Sequence, residues 1–300
     1  MQLILEQLLI LYLFIIAGWI IGKYKKEKAS HTEILSILLV NLLLPSKVFR
    51  SFATNFTVAY LQERYPFLLV SLALLAVVLV MAPFASRLLT KHPYERKIFR
   101  YSFAITNYAY LGYPLIEGVF GEKMLADFLF FVIPFIIYTY SFGYALLTGG
   151  KAPLKRLLNP MTVAIALGMG VGLTGLPIPN LLPKVLSTAS SCVGPISMLL
   201  TGLTLAGFAV KDLFFDPKAY IFSALRLLII PGIVFLFCKL LGLHDLLPLM
   251  LIVTCMPCGL NTIVFPKLIG EDCRLSARLA VISHILSLPT LLFWLSMLMK

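Results

Sequence analysis

The sequence contains few charged residues for its length. Only 13% of its 300 residues are Asp, Glu, Lys or Arg, whereas a soluble domain has about 25%. Four runs, residues 66–86, 128–147, 185–210 and 246–266, contain none of these residues. Each run is long enough for the roughly 20 residues that cross the hydrocarbon core of a bilayer as a helix. None of them alternates apolar and polar residues as the strands of a membrane barrel do. These absences argue against a soluble protein and predict membrane-spanning helices.

The sequence is also poor in the side chains that catalyse reactions or hold cofactors. Its four histidines are scattered among loops and spans, and it has no Gly-rich phosphate-binding loop. Its five cysteines lie mostly in apolar spans, which favours buried thiols over disulfides. Cys255 and Cys258 have the spacing of a redox pair, but they lie in the middle of a span without acidic neighbours. We therefore predict that the protein is not an enzyme and has no cofactor or metal site.

The hydrophobic residues, 60% of the chain, predict an all-α integral membrane protein with ten transmembrane helices. Little chain remains outside these helices, so no soluble domain fits between them. The predicted spans are residues 3–22, 34–52, 66–89, 98–120, 125–147, 160–176, 185–210, 219–241, 246–268 and 279–299.

The basic residues are distributed unevenly between the two sides of the predicted bundle. Seventeen of the 25 lie in the loops after spans 1, 3, 5, 7 and 9, and Arg226 lies inside span 8. Basic residues in short loops stay on the cytoplasmic side. We therefore predict a multi-pass protein of the plasma membrane with both termini on the extracytoplasmic side. This distribution also argues against nucleic acid as the partner of a chain with a net charge of +12. Seven basic residues lie on the opposite side: Lys47, Arg50, Arg64, Lys123, Lys184, Lys239 and Lys300.

Two features recur at a nearly constant offset along the chain. Pro45 in span 2 has a counterpart, Pro195, 150 residues later, and the Gly121-Glu122 pair after span 4 recurs 149 residues later after span 9. These offsets predict a first five-helix repeat over residues 1–148 and a second over residues 160–300. A short cytoplasmic linker, residues 149–159, would join them. Because five is odd, the second repeat would be inverted, an arrangement typical of secondary transporters.

Spans 4 and 9 carry helix-breaking residues near their middles. Span 4 contains Asn107 and Pro114, and span 9 contains Pro257, Gly259 and Asn261. Proline removes a backbone donor and clashes with the preceding turn, and glycine weakens the helix further. Unpaired backbone groups are tolerated in a bilayer where they line a cavity. Two broken helices would therefore meet near the midplane, with partly positive helix N-termini and Asn side chains facing a small carboxylate. The alternative is a pair of ordinary proline kinks with interhelical Asn hydrogen bonds.

Other residues near these breaks are also candidates. An intramembrane Glu117 or His284 would suit proton coupling, although Glu117 could lie in water and His284 could bond a neighbouring helix. Lys47 and Arg50 could attract an anion or extend to the outer interface. Tyr108 and Tyr113 could line the cavity or lie at an interface. The further substrate-binding candidates are Tyr110, Gly112, Thr262, Asn41 and Pro45.

Four motifs resemble the auxin efflux carrier family. Asn107-x-x-x-x-Gly112-x-Pro114 is similar to the family's first crossover helix, and the segment 256–259 with Phe265-x-Lys267 is similar to its second. The segments 41–45 and 195–207 are similar to the family's helices 2 and 7. The resemblance covers the whole chain and implies ten helices in two inverted repeats, with helices 4 and 9 crossing.

The resemblance also implies a carrier of small organic anions, with Asn107, Pro114, Pro257 and the neighbours of Pro257 at the substrate. The chain departs from the plant members in its short central loop and in Asn261 and Thr262. These departures favour a short aliphatic acid such as malonate or malate over auxin-like acids. The family also allows a homodimer.

Two other functions remain open from the sequence. One is a sodium-coupled organic-anion symporter of the bile-acid type, which has a related architecture. Sodium sites favour several oxygen ligands, often including a carboxylate, and residues 246–266 contain no acidic side chain. The other is a membrane receptor that binds a ligand without moving it, although such a protein has no need for two broken helices.

Overall fold

The computed structural model describes residues 1–24, 29–150 and 154–298 of the chain, and within them it contains helices and no β-strand. Part of the predicted linker, residues 151–153, lies outside these ranges, as do Lys25, Lys26, Lys28 and Lys300. The first half contains α1 (Gln2–Tyr24), α2 (Ala29–Leu38), α3 (Leu44–Asn55), α4 (Val58–Leu89), α5 (Pro93–Ala104), α6 (Tyr113–Phe131), α7 (Ile133–Tyr138) and α8 (Tyr144–Thr148).

The second half, after a short 3₁₀ turn at Leu154–Leu157, contains nine more helices. They are α9 (Pro160–Thr174), α10 (Leu181–Ser191), α11 (Val193–Ala206), α12 (Val210–Leu213), α13 (Pro217–Ala224), α14 (Ile230–Leu240), α15 (Leu247–Cys255), α16 (Asn261–Lys267) and α17 (Arg274–Leu298). The prediction of an all-helical chain is therefore confirmed for the described residues.

Fewer helices than ten are long enough to cross a membrane without interruption. Among the described residues, six helical stretches have the length and hydropathy of a span, and a seventh consists of two helices bent by 49° at Val132. The predicted spans 4 and 9 are interrupted near their middles, and α9 has only 15 residues. The number of spans in the structure therefore depends on how the broken helices are counted, and the predicted ten are not confirmed.

π-Helical turns precede three of the prolines inside these helices. They are Leu39–Leu43 before Pro45, Tyr108–Gly112 before Pro114 and Leu225–Ile229 before Pro231. Proline lacks the N–H that an α-helix requires and clashes with the carbonyl four residues earlier. A wider turn relieves that clash, and π-turns of this kind occur often at functional sites. Each turn also changes which face of the helix the following residues occupy.

The helices pack as two groups. The four-helix group comprises α1, α9 and the two long helical stretches that α2–α3 and α10–α11 form. Within it, α1 packs against α11, and α3 packs against α9. Glycines allow these close approaches: a Cβ at Gly202 would lie 2.0 Å from the carbonyl oxygen of Ile15, and one at Gly172 would lie 2.5 Å from that of Phe56. Small residues serve this purpose at membrane helix interfaces.

The second group, called here the crossing group, comprises α4–α8 and α13–α17. Within it α4 packs against α5, α13 against α17, and α14 against α15. It touches the four-helix group mainly through α6, α17 and the π-turn that precedes α6. The interrupted helices lie in the crossing group, next to this boundary.

Candidate functional site

Two broken helices meet in the interior of the protein. Helix α5 ends at Ala104, and Ile105 continues in an extended conformation, while α15 ends at Cys255 and Met256 is also extended. The two extended segments pair as an isolated antiparallel bridge between Thr106 and Cys258. The breaks therefore satisfy part of each other's hydrogen-bonding needs, as a buried backbone requires.

Side chains and backbone on both sides hold this crossing together. The N–H of Asn107 donates to the carbonyl oxygen of Pro257 at 2.8 Å. The hydroxyl of Thr106 donates to the carbonyl oxygen of Val253 at 3.1 Å. On the other extended segment, the N–H of Cys258 donates to the hydroxyl of Ser283 at 3.0 Å.

Gly259 allows the two segments to approach closely. A Cβ at this position would lie 3.0 Å from the carbonyl oxygen of Thr106 and 3.4 Å from that of Ile105. Both contacts are to backbone atoms, which cannot move aside as the end of a flexible side chain can. The glycine that the sequence indicated as a helix breaker thus also has a steric role.

We expect Gly259→Ala to separate the two broken helices by a few tenths of an ångström and to destabilise the fold by about 1–2 kcal/mol, because overpacking a well-filled interior costs that much. Thermal unfolding of the purified variants measures the change. Gly170→Ala is the matched control, since a Cβ there meets no atom within 4 Å. Equal melting temperatures for the two variants would contradict the assigned steric role.

A buried arginine lies at the end of α15. The Nη2 of Arg226 donates to the carbonyl oxygen of Val253 at 3.3 Å, the same oxygen that accepts from Thr106. The C-terminal end of a helix carries partial negative charge. The guanidinium is only 2% exposed and therefore compensates the carbonyl dipoles of the interrupted helix rather than reaching water. Arg226 thus pairs with the backbone in the interior of the protein.

A cavity opens at the crossing. None of the fifteen described residues that line this crossing cavity carries a charge. The starts of the two half-helices at Tyr108 and Asn261 are among them. In the second half-helix, the N–H groups of Thr262 and Ile263 donate to the carbonyl oxygens of Gly259 and Leu260 in the preceding turn. The lining residues are Leu44, Ile105, Thr106, Asn107, Tyr108, Ala109, Tyr110, Tyr113, Ile136, Thr139, Tyr140, Met161, Gly259, Leu260 and Asn261.

Asn107 and His284 form a buried pair beside the cavity. The Nδ2 of Asn107 lies 2.9 Å from the Nε2 of His284, and the Nδ1 of His284 lies 2.7 Å from the carbonyl oxygen of Ala280. Both side chains are at most 4% exposed. His284 therefore contacts the site through Asn107 and does not itself line the cavity.

The predicted substrate-binding residues lie in the crossing cavity, elsewhere on the two broken segments, or outside both. Asn107, Tyr110, Gly259 and Asn261 line the crossing cavity, as do Tyr108 and Tyr113. Gly112, Pro114, Pro257 and Thr262 belong to the same broken segments but are not lining residues. The hydroxyl of Thr262 donates to the carbonyl oxygen of Gly259 at 2.7 Å and so supports the turn.

Asn41 and Pro45 lie outside the crossing cavity. Asn41 is exposed, and its amide donates to the carbonyl oxygen of Ile37 at 3.0 Å within its own helix. Leu44 lines the cavity instead. The physical reason is the π-turn at Leu39–Leu43, which inserts one residue and rotates the helix faces on its two sides by about 100°.

Nine of the fifteen lining residues escaped the sequence analysis, among them Thr139, Tyr140 and Met161. Thr139 and Tyr140 come from the π-turn Thr139–Gly143, and Met161 comes from the start of α9. Thr139 and Tyr140 are polar residues within a charge-free run, which is the one feature of the sequence that could have indicated them. No feature of the sequence indicated Met161.

A second, charged cluster connects the two groups of helices. Lys47 of α3 forms an ion pair with Glu117 of α6, and Arg50 of α3 forms one with Glu122, also in α6. A small cavity lies between these residues. Lys47 is only 2% exposed, so it does not extend to the interface.

Comparison with known proteins gives the family. The family described as "Membrane transport protein" matches residues 3–152 and 144–295 of the chain. An uncharacterized transporter of Methanocaldococcus jannaschii is 26% identical over 97% of both chains. An uncharacterized transporter of Methanothermobacter thermautotrophicus is 32% identical over 43% of both chains. The chain therefore belongs to this membrane transport family, that of the auxin efflux carriers, and is a transporter rather than an enzyme.

Proposed function

We propose that the protein is a secondary active or facilitative carrier of small organic anions and that the crossing cavity is its substrate site. The observation that carries this proposal is the meeting of two half-helix starts with Asn107 and Asn261 around one uncharged cavity. Helix N-termini and amide N–H groups favour a carboxylate without fixing it as strongly as a buried Arg or Lys does. A carrier must also release its substrate, so moderate binding suits this role.

The lining chemistry supports mono- and dicarboxylates such as malonate or malate. Tyrosine and threonine hydroxyls at Tyr110, Tyr140 and Thr139 add polar contacts to those of the two Asn side chains. No acidic lining residue is present among the described ones to repel an anion or to complete a sodium site. Auxin-like acids remain the less favoured substrates, because Asn261 and Thr262 depart from the plant pattern.

We further propose ten spans arranged as two inverted five-helix repeats. The antiparallel pairing of Thr106 with Cys258 supports this arrangement, because inverted halves would bring equivalent segments together in this way. Gly121 and Gly270 support it as well, since they are 149 residues apart and both have positive φ, 83° and 74°. Gly121 interrupts α6 with a non-helical conformation, and Gly270 follows the end of α16.

Alternating access would then come from movement of the crossing group against the four-helix group around the cavity. Several polar contacts cross the boundary between the groups. Examples are the ion pairs between α3 and α6 and the hydrogen bond from Ser197 of α11 to the carbonyl oxygen of Tyr110 at 2.9 Å.

The proposed setting is the plasma membrane, with both termini on the extracytoplasmic side. The unequal distribution of basic residues supports this orientation. Under this topology the Lys47–Glu117 and Arg50–Glu122 pairs lie toward the extracytoplasmic end of the substrate path.

Uptake of radiolabelled malonate and malate into proteoliposomes tests the proposal. The purified protein is reconstituted, and uptake is measured without a gradient and with imposed proton or sodium gradients, against protein-free liposomes. We expect saturable uptake of at least one of the two acids. Binding of these acids by intact protein that moves neither of them under any gradient would favour a receptor over a carrier.

A further inference from the structure

The hydrogen bonds of His284 fix its tautomer. A backbone carbonyl can only accept a hydrogen bond, so the Nδ1 that lies 2.7 Å from the oxygen of Ala280 carries a proton. In a neutral imidazole the other nitrogen, Nε2, is then an acceptor. The partner of Nε2, the Nδ2 of Asn107 at 2.9 Å, therefore donates to it.

This bond fixes what the Asn107 amide offers to the crossing cavity. One N–H of the amide is used by His284, which leaves the second N–H as a donor and Oδ1 as an acceptor. A donor beside an acceptor complements a protonated carboxylic acid, whose C=O accepts and whose O–H donates. A carboxylate, which only accepts, fits this arrangement less well.

Protonation of His284 would favour the opposite orientation of the Asn107 side-chain amide. An imidazolium has N–H groups at both nitrogens, so Nε2 would then need an acceptor. Rotation of the Asn107 side chain by half a turn places Oδ1 on Nε2–H and turns both N–H groups away from the ring. Two donors suit an ionised carboxylate. The amide thus matches a neutral acid when His284 is neutral and an anion when His284 is charged.

We propose that the Asn107–His284 pair makes the site bind one proton together with each carboxylate, with His284 as the positioning residue that acts through Asn107. The complex of a neutral acid with neutral His284 and the complex of a carboxylate with protonated His284 contain the same atoms. In either complex, one proton enters with one carboxyl group. This inference rests on the proposed organic-anion function and gives that function a mode of proton coupling.

The titratable groups packed near His284 each bond a group other than its imidazole. Titratable groups near this part of α17 include Tyr12 of α1, Cys258 of the crossing and Arg226 of the π-turn before α14. Tyr12 donates to the backbone carbonyl of His284 at 2.8 Å, the thiol of Cys258 contacts Ser102, and Arg226 bonds Val253. Among the described residues, the imidazole nitrogens bond only Ala280 and Asn107.

The proton count on binding tests the proposal. Calorimetric titrations of the full chain with malonate and with malate, repeated in buffers of different ionisation enthalpy, give the number of protons taken up per anion. We expect the wild-type protein to take up one proton for each anion that binds with a carboxyl group at Asn107. The His284→Gln variant should bind the anion with little proton uptake. His244→Gln, at an exposed loop histidine, is the matched control and should behave as wild type.

Two outcomes would overturn the proposal while leaving the carrier function standing. One is binding by the wild-type protein without proton uptake, and the other is the same proton uptake by His284→Gln as by the wild type. A ¹⁵N NMR spectrum of histidine-labelled protein adds a test that needs no substrate, with His284→Gln assigning the signal. The Nδ1–H tautomer is expected, and the Nε2–H tautomer would overturn the inference even if neither acid binds. Failure of both acids to bind, with the Nδ1–H tautomer present, would count against the proposed substrate class instead.

Discussion

Replacing Asn107 by alanine is expected to reduce carboxylate exchange across proteoliposomes by roughly 10- to 100-fold, which corresponds to the loss of one hydrogen bond to a charged group. The substitution removes the amide that faces the crossing cavity and leaves the Nε2 of His284 without its partner. The backbone bond from residue 107 to Pro257 does not depend on the side chain, so the crossing itself is retained. Exchange of radiolabelled malonate or malate, normalised to reconstituted protein, measures the loss.

Two further variants distinguish the loss of a substrate contact from the general effect of removing an asparagine side chain. Asn261→Ala removes a second cavity amide, so we expect a loss of the same order. Asn55→Ala is the matched control, because that amide donates to the carbonyl oxygen of Ser51 in its own helix, away from the crossing cavity. Transport at the wild-type rate by folded Asn107→Ala and Asn261→Ala proteins would place the substrate elsewhere.

Replacing Glu117 by leucine is expected to destabilise the protein by about 3 kcal/mol, because it leaves Lys47 buried and without its counter-ion. Replacing both residues, as Lys47→Met with Glu117→Leu, should recover most of the loss, since apolar residues of similar volume often substitute well for a buried ion pair. Unfolding of the single and double variants in the same detergent measures the difference.

The neighbouring ion pair supplies the comparison. Arg50 and Glu122 join the same two helices, but their side chains are 26% and 52% exposed. An exposed pair contributes about 0–1 kcal/mol, so Glu122→Leu should cost far less than Glu117→Leu. Equal losses at the two positions, or a double variant no more stable than Glu117→Leu, would show that burial of Lys47 does not dominate this cluster.

The breaks in spans 4 and 9 could be predicted from the sequence. Proline, glycine and asparagine are conspicuous inside apolar runs, and their effect on a helix is local, so Asn107, Gly259 and Asn261 could be identified without knowledge of the fold. The family resemblance also followed from these residues. The same local reasoning placed Gly112, Pro114, Pro257 and Thr262 on the broken segments.

Contacts between distant parts of the chain could not be predicted. The pairing of Asn107 with His284 joins residues 177 positions apart, and that of Lys47 with Glu117 joins residues 70 apart. Each residue alone had two interpretations, and only the packing of the helices distinguishes between them. Asn41 shows a different limit: a π-turn changes the face of the helix, and regular α-helical spacing does not reveal it.

The most direct test of the substrate site is an experimental structure of the protein at a saturating concentration of the carboxylate that gives the highest uptake. We expect density for the acid in the crossing cavity, within hydrogen-bonding distance of Asn107 and Asn261. Density for the acid only between Lys47, Arg50, Glu117 and Glu122, with the crossing cavity empty, would contradict it.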